Sequence, residues 1–256
     1  MVQWGWAGGS GGKLTRVRLG GVDLTARGDV SETHAIDKVI IHPNYNKNYN
    51  DIALVRLSRP IRPTNNILPA CLYTKDDVPQ TDLIITGWGA TDKLGLKKSN
   101  LLMKAKVKFM PLNRCNQTYA RSGRTLRNGV NTDMLCAYDP KGIKDTCRSC
   151  HSDLFSSRFS YERGPSRHTV PDGPQLVLSE GRNPLLVPDA WVSTLNIALQ
   201  GDSGGPLQTM VDSGSKEVYS VVGVTSLGPA LCGGREPAVY TKVASFVPWI
   251  ESIVWS

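Results

Sequence analysis

An all-β fold closed by a C-terminal helix is what this 256-residue sequence predicts, and three observations carry it. Apolar residues alternate with polar ones over short stretches: Val17 and Leu19 with Arg16 and Arg18, and Met103, Ala105, Val107 and Phe109 with a row of lysines. Glycine (25) and proline (16) are frequent enough to supply a turn after each such stretch. Only at the end does the period change. Phe246, Trp249, Ile250 and Ile253 recur at helical spacing, with Ser245 as the expected N-cap.

Taken in order, Val2-Gln3-Trp4-Gly5-Trp6 reads as a first strand, and Gly8-Gly9-Ser10-Gly11-Gly12 as a loop by composition. Strands are expected over 15–19, over 35–41 before the turn signal His42-Pro43, and over 51–57 before Arg59-Pro60. Residues 72–80 read as a linker between two halves. Further strands are expected over 83–88, 102–109, 134–137, 205–207, 219–225 and 238–243. The division is 1–78 for the first half and 79–256 for the second.

Composition narrows the function. The formal net charge of +8 comes from scattered basic residues, and no Lys/Arg run suggests a nucleic-acid site. No stretch approaches the roughly 20 apolar residues of a membrane helix. Residues 1–12 lack the basic start and apolar run of a signal peptide. Of the six cysteines (Cys71, Cys115, Cys136, Cys147, Cys150 and Cys232), none sits in a spacing that suggests zinc. Cys147 and Cys150 have redox-pair spacing but no βαβ pattern around them. Asn116-Gln117-Thr118 is a candidate glycosylation acceptor.

The chemistry concentrates in Gly201-Asp202-Ser203-Gly204-Gly205-Pro206. A serine on a tight glycine turn presents its hydroxyl as a nucleophile. The N–H groups of Gly201 and Ser203 would converge on the oxyanion formed when a carbonyl is attacked, each donor contributing about 3 kcal/mol. Asn50-Asp51-Ile52-Ala53-Leu54-Val55-Arg56-Leu57 places an acid just before an apolar strand. Asp145-Thr146-Cys147, Thr86-Gly87-Trp88-Gly89 and Ala238-Val239-Tyr240-Thr241-Lys242-Val243 complete the set.

In this order, over about 4–147 and 200–256, these motifs resemble the chymotrypsin-like serine endopeptidases. Ile41-His42-Pro43-Asn44-Tyr45 and Pro69-Ala70-Cys71-Leu72-Tyr73 resemble the arthropod clip-domain branch, snake-like proteases in particular. The resemblance implies two six-stranded Greek-key-type β-barrels, the first incomplete here, and no metal or organic cofactor. It implies Ser203 as nucleophile, Asp51 as the carboxylate that orients the base, and Gly201 with Ser203 as oxyanion donors. Asp145 would lie at the base of the specificity pocket and favour Arg or Lys. Gln200 leads into the nucleophile turn, and Ser226 and Gly228 belong to the strand that pairs with substrate. Ala238 replaces a pocket-wall glycine and would narrow the slot. Cys115 would pair with Cys136 and Cys147 with Cys232, Cys71 would tether an upstream light chain, and Cys150 has no counterpart. The implied partners are a protein or peptide substrate, protease inhibitors and an upstream activating protease, in an extracellular setting.

Three departures qualify that picture. Ala7-Gly8-Gly9-Ser10 stands where the family has Cys-Gly-Gly-Ser, and the Ala-Ala-His-Cys stretch with the catalytic histidine is absent before Thr15. His34 and His42 fall at surface strand and turn positions, and His151 and His168 in an anomalous segment. No Ile/Val-Val-Gly-Gly stretch is present to give the ammonium that would pair with Asp202. Finally, 148–199 separates Cys147 from Gln200, which adjoin in the family. Its Ser, Pro, Arg and Gly content without a period predicts disorder. It reads as a surface insertion or, preferably, as translated intron. Two readings follow: an endopeptidase whose present chain is inactive, and a non-catalytic homologue that binds partners in a protease cascade.

Overall fold

The computed structural model describes residues 2–5, 14–26, 31–79, 81–89, 97–120, 126–142, 191–193, 203–212, 217–228 and 236–256, with 2–5, 191–193, 212 and 217 as backbone only. Twelve strands and two helices are described. The first half holds β1 (Val2–Gly5), β2 (Arg16–Leu19), β3 (Glu32–Ile41) and β4 (Ala53–Leu57). β5 (Cys71–Leu72) precedes the expected boundary at 79 but pairs into the sheet of the second half, which also holds β6 (Leu83–Gly87), β7 (Met103–Met110), α1 (Leu112–Tyr119) and β8 (Met134–Tyr138). After β9 (Trp191–Ser193) come β10 (Pro206–Asp212), β11 (Glu217–Leu227), β12 (Ala238–Lys242) and α2 (Val243–Val254).

Six strands of the second half close on themselves in the order β10-β6-β7-β8-β12-β11, because β10 also pairs with β11. All six pairings are antiparallel. The alternation read from β7 is real: Ala105 and Val107 are buried while Lys106 and Lys108 are exposed. Leu83, Ile85, Ala105, Val107, Leu207 and Tyr240 fill the barrel. At Gly223 an added Cβ would sit 3.0 Å from the Tyr240 Cβ and 3.3 Å from the Thr241 carbonyl oxygen, so a side chain there would push β12 away by a few tenths of an ångström.

The first half is an open five-stranded sheet, β1-β2-β3-β4-β9, with Val17, Leu19, Val55, Leu57 and Ile67 as its core. This sheet is the described part of the expected first barrel. β9 belongs to the 148–199 segment and pairs antiparallel with β4, so the expectation of disorder there fails at Trp191–Ser193. A strand forms because the β4 edge offers backbone partners to an apolar Trp-Val pair. The remainder of that segment lies outside the described residues.

Between the halves, α2 acts as a wedge. Val243, Phe246 and Ile250 pack with Ile52 and Leu54 of the first half and with Leu72 and Val224 of the second. The expected N-cap is corrected: the helix begins at Val243, with Lys242 as N-cap and no side-chain cap bond. Burial of Val243 outweighs the capping preference of Ser245. The linker also starts later than expected, since Cys71–Leu72 forms a short parallel strand against Ser220 and Val221.

α1 has no strong signature in the sequence and is held by tertiary contacts. Cys115 and Cys136 are disulfide-bonded, as the resemblance implied. The Asn116 carboxamide clamps Val130, donating to its carbonyl at 2.9 Å and accepting from its N–H at 2.6 Å. Cys71 is a buried free thiol whose pKa burial pushes up. The implied Cys147–Cys232 bridge and Cys150 lie outside the described residues.

Candidate active site

The site is built at the seam, on two consecutive residues of β11. Thr225 holds the nucleophile turn. Its N–H donates to the Gly205 carbonyl at 2.9 Å, its Oγ1 to the same carbonyl at 3.0 Å, and its own carbonyl accepts from the Gly204 N–H at 2.9 Å. Gly204 adopts φ +79°, which a side chain would resist, so the turn that carries half-buried Ser203 needs glycine there.

Ser226, the next residue, holds the acid. Its Oγ donates to Asp51 Oδ2 at 2.6 Å. The pairing of β11 with β12 skips a residue between Thr225 and Leu227, leaving Ser226 as a bulge. Bulges re-aim side chains, and this one turns a hydroxyl toward the other half of the molecule. Asp51 is only 2 % exposed. Thr241 Oγ1 donates to its backbone carbonyl at 2.8 Å. Preceding Asp51, Asn50 sits at φ 51° and donates from Nδ2 to the Asn44 carbonyl at 2.9 Å, so the turn before the acid is tied to itself. Nearby, burial and then the charge of Asp51 hold the Tyr45 phenol above its ordinary pKa.

The sequence reading put Asp51 and Ser203 in one site; in the structure Ser226 bonds Asp51, and the neighbouring Thr225 bonds Gly204 and Gly205, the two residues that follow Ser203. The role of Ser226 as the donor to Asp51 was missed, because the pair is separated by 175 positions. Gly228 follows β11 and is half-buried. Ala238 is buried in the barrel interior with Ala137 and Tyr240. Asp145, Gln200, Gly201 and Asp202 lie outside the described residues.

The two described histidines have neighbours of their own. His34 Nε2 bonds Glu32 Oε2 at 3.0 Å. The His42 ring meets Phe246 and Trp249 edge-on at 5.2 and 4.8 Å, its Nδ1 accepts from the Asn44 N–H at 3.3 Å, and burial lowers its pKa. Among the described residues no group of three or more His, Cys, Asp or Glu could hold a metal, and no helix is long and apolar enough to cross a membrane.

Comparison with known proteins agrees with this geometry. The family model described as Trypsin matches residues 9–149 and 192–250. Serine protease Hayan of Drosophila melanogaster is 30% identical over 247 residues, covering 93% of this chain and 30% of that protein. Serine protease snk of the same organism is 27% identical, covering 93% of this chain and 43% of that protein. The chain therefore spans less than half the length of these two curated relatives. Among solved structures, neuropsin, a serine protease expressed in the limbic system of mouse brain, matches with a TM-score of 0.60 at 23% identity, over 93% of this chain and 78% of that one. That likeness supports the chymotrypsin-type fold. With its closed barrel, its serine turn and acid tied to one strand and a family match over most of its length, the chain belongs to the trypsin family of serine endopeptidases, most like the arthropod clip-domain proteases.

Proposed function

We propose that this polypeptide carries the acid and the nucleophile of a serine endopeptidase without the base between them, and that it does not cleave peptides in its present form. The observation that carries this reading is the commitment of both described histidines elsewhere, His34 to Glu32 and His42 to Phe246 and Trp249. A serine hydroxyl is a poor nucleophile at neutral pH without a neighbouring base. In a serine protease, loss of the histidine alone lowers turnover by roughly 10⁶-fold.

The parent activity is trypsin-like proteolysis. Asp145 would select Arg or Lys in the substrate, with Ala238 narrowing the pocket, Gly201 and Ser203 supplying the oxyanion donors, and Gln200, Ser226 and Gly228 flanking the bound peptide. Protein substrates, protease inhibitors and an upstream activating protease are its partners. The Cys115–Cys136 disulfide suits an extracellular setting. The second reading, a non-catalytic homologue that binds partners through the same surface, is favoured by the same missing base.

A fluorophosphonate probe tests the proposal. We expect no labelling of Ser203 and no cleavage of Arg- or Lys-containing peptides. Labelling of Ser203 that disappears in His42→Ala or His34→Ala would overturn it. A repaired chain that carries the family's Ala-Ala-His-Cys stretch between Ser10 and Thr15 and an Ile/Val-Val-Gly-Gly terminus, and that lacks 148–199, should regain labelling and cleavage if the parent is an enzyme. A folded, still inert variant would favour the binding homologue.

A further inference from the structure

β4 lies between β3 and β9. On the β9 side the register is antiparallel, with Leu54 opposite Ser193, Val55 opposite Val192 and Arg56 opposite Trp191. Four of the five β4 residues, Ala53, Leu54, Val55 and Leu57, are essentially without exposure. A strand buried on both faces cannot leave one edge unpaired cheaply. Each buried backbone group without a partner costs about 1–3 kcal/mol. Aromatic and β-branched residues suit that edge, and Trp191-Val192 supplies both.

We propose that Trp191–Ser193 is an internally supplied strand that completes the first-half sheet beside the acid, so that the end of the 148–199 segment is a working part of the fold and not a dispensable insertion. Two further observations support it. The Trypsin family match resumes at residue 192, within the segment and before Gln200. The direction of the strand also matters. Because β9 is antiparallel to β4, its Ser193 end lies at the Leu54 end of β4, three positions from Asp51. From Ser193 only ten residue steps lead to Ser203, a reach of at most about 36 Å. The pairing therefore tethers the nucleophile turn to the side of the sheet that carries the acid.

The test is covalent trapping in the full chain. Arg56 and Trp191 face each other, and facing residues in an antiparallel pair fall within the Cα separation a disulfide spans. Arg56→Cys with Trp191→Cys should give a bridge between positions 56 and 191, mapped by mass spectrometry of the oxidised protein. Arg56→Cys with Arg114→Cys, on α1 of the other half, serves as the control and should give at most a tenth of that yield. Equal yields in the two variants would sink the proposal. A second readout avoids new cysteines. Val192→Pro should speed amide exchange at residues 54–56 at least tenfold while β10 and β11 stay protected. Unchanged protection of β4 in Val192→Pro also overturns the proposal. Neither measurement depends on Ser203 being reactive, so the outcome is separate from that of the probe-labelling experiment.

Discussion

In the second half, six strands return on themselves because β10 pairs with both β6 and β11, whereas in the first half the sheet, among the described residues, ends at β1 and β9. Closure removes edges and seals an interior. An open sheet must cover its core from outside, here with the Ile67 turn and, at the seam, with α2. The site straddles this difference. Ser203 rides on the closed barrel through Thr225, while Asp51 belongs to the open sheet and is held from across the seam by Ser226 and Thr241. The open half thus carries the acid, and the closed half supplies the donors that place it.

The largest effect that tests this contrast comes from equal truncations in the two cores. Leu207→Ala opens a cavity inside a closed barrel whose walls cannot move inward, and should cost about 3–5 kcal/mol. Leu19→Ala removes the same atoms from the open sheet, where neighbours can relax, and should cost about 2–3 kcal/mol. Urea unfolding of both variants measures the difference. Equal losses would mean that the first half is packed as rigidly as the second.

A smaller effect is expected at the bridge between the halves. Ser226→Ala deletes a donor to a buried carboxylate and should cost about 1–3 kcal/mol. If the bond joins the halves, Ser226→Ala should also raise amide exchange around Asp51 while leaving the closed barrel protected. A change confined to β11 would mean that Ser226 stabilises its own strand and does not place the acid.

These same contacts show what the sequence could and could not reveal. The alternation on β2 and β7 and the helical spacing of Phe246, Ile250 and Ile253 are local patterns, and each of these elements formed, the helix starting at Val243, before the expected cap. Gly204 was legible because a serine turn at positive φ demands glycine. The Ser226 bond was not legible, because it depends on a bulge whose effect is to turn a side chain toward a residue 175 positions away. α1 escaped notice for a related reason: its polar residues favour a helix weakly, and a disulfide and the Asn116 clamp hold it in place. β9 is three residues long, too short to show a period, and it exists only because the β4 edge is there to receive it.

The smallest expected effect concerns pH at the seam. The His42 ring touches Phe246 and Trp249 of α2, and its Nδ1 accepts a hydrogen bond from the Asn44 N–H, which requires the unprotonated nitrogen. Burial lowers its pKa below the usual 6.5, so the folded state prefers the neutral ring. The unfolded chain then takes up the proton first as pH falls. The stability due to His42 is fully present above about pH 6.5 and is lost as pH drops from there through the lower, folded-state pKa. Because the ring is only partly buried, the loss should be modest and should appear as weaker docking of α2. Unfolding midpoints at pH 7.5 and pH 5.5 give the comparison. The wild-type midpoint should fall more between these two values than that of His42→Gln, which keeps a polar group but cannot titrate. If the two proteins lose the same amount, the acid sensitivity of the seam belongs to another group. If the histidine protein loses less, the sign is reversed, and a protonated His42 stabilises the contact between the open sheet and α2.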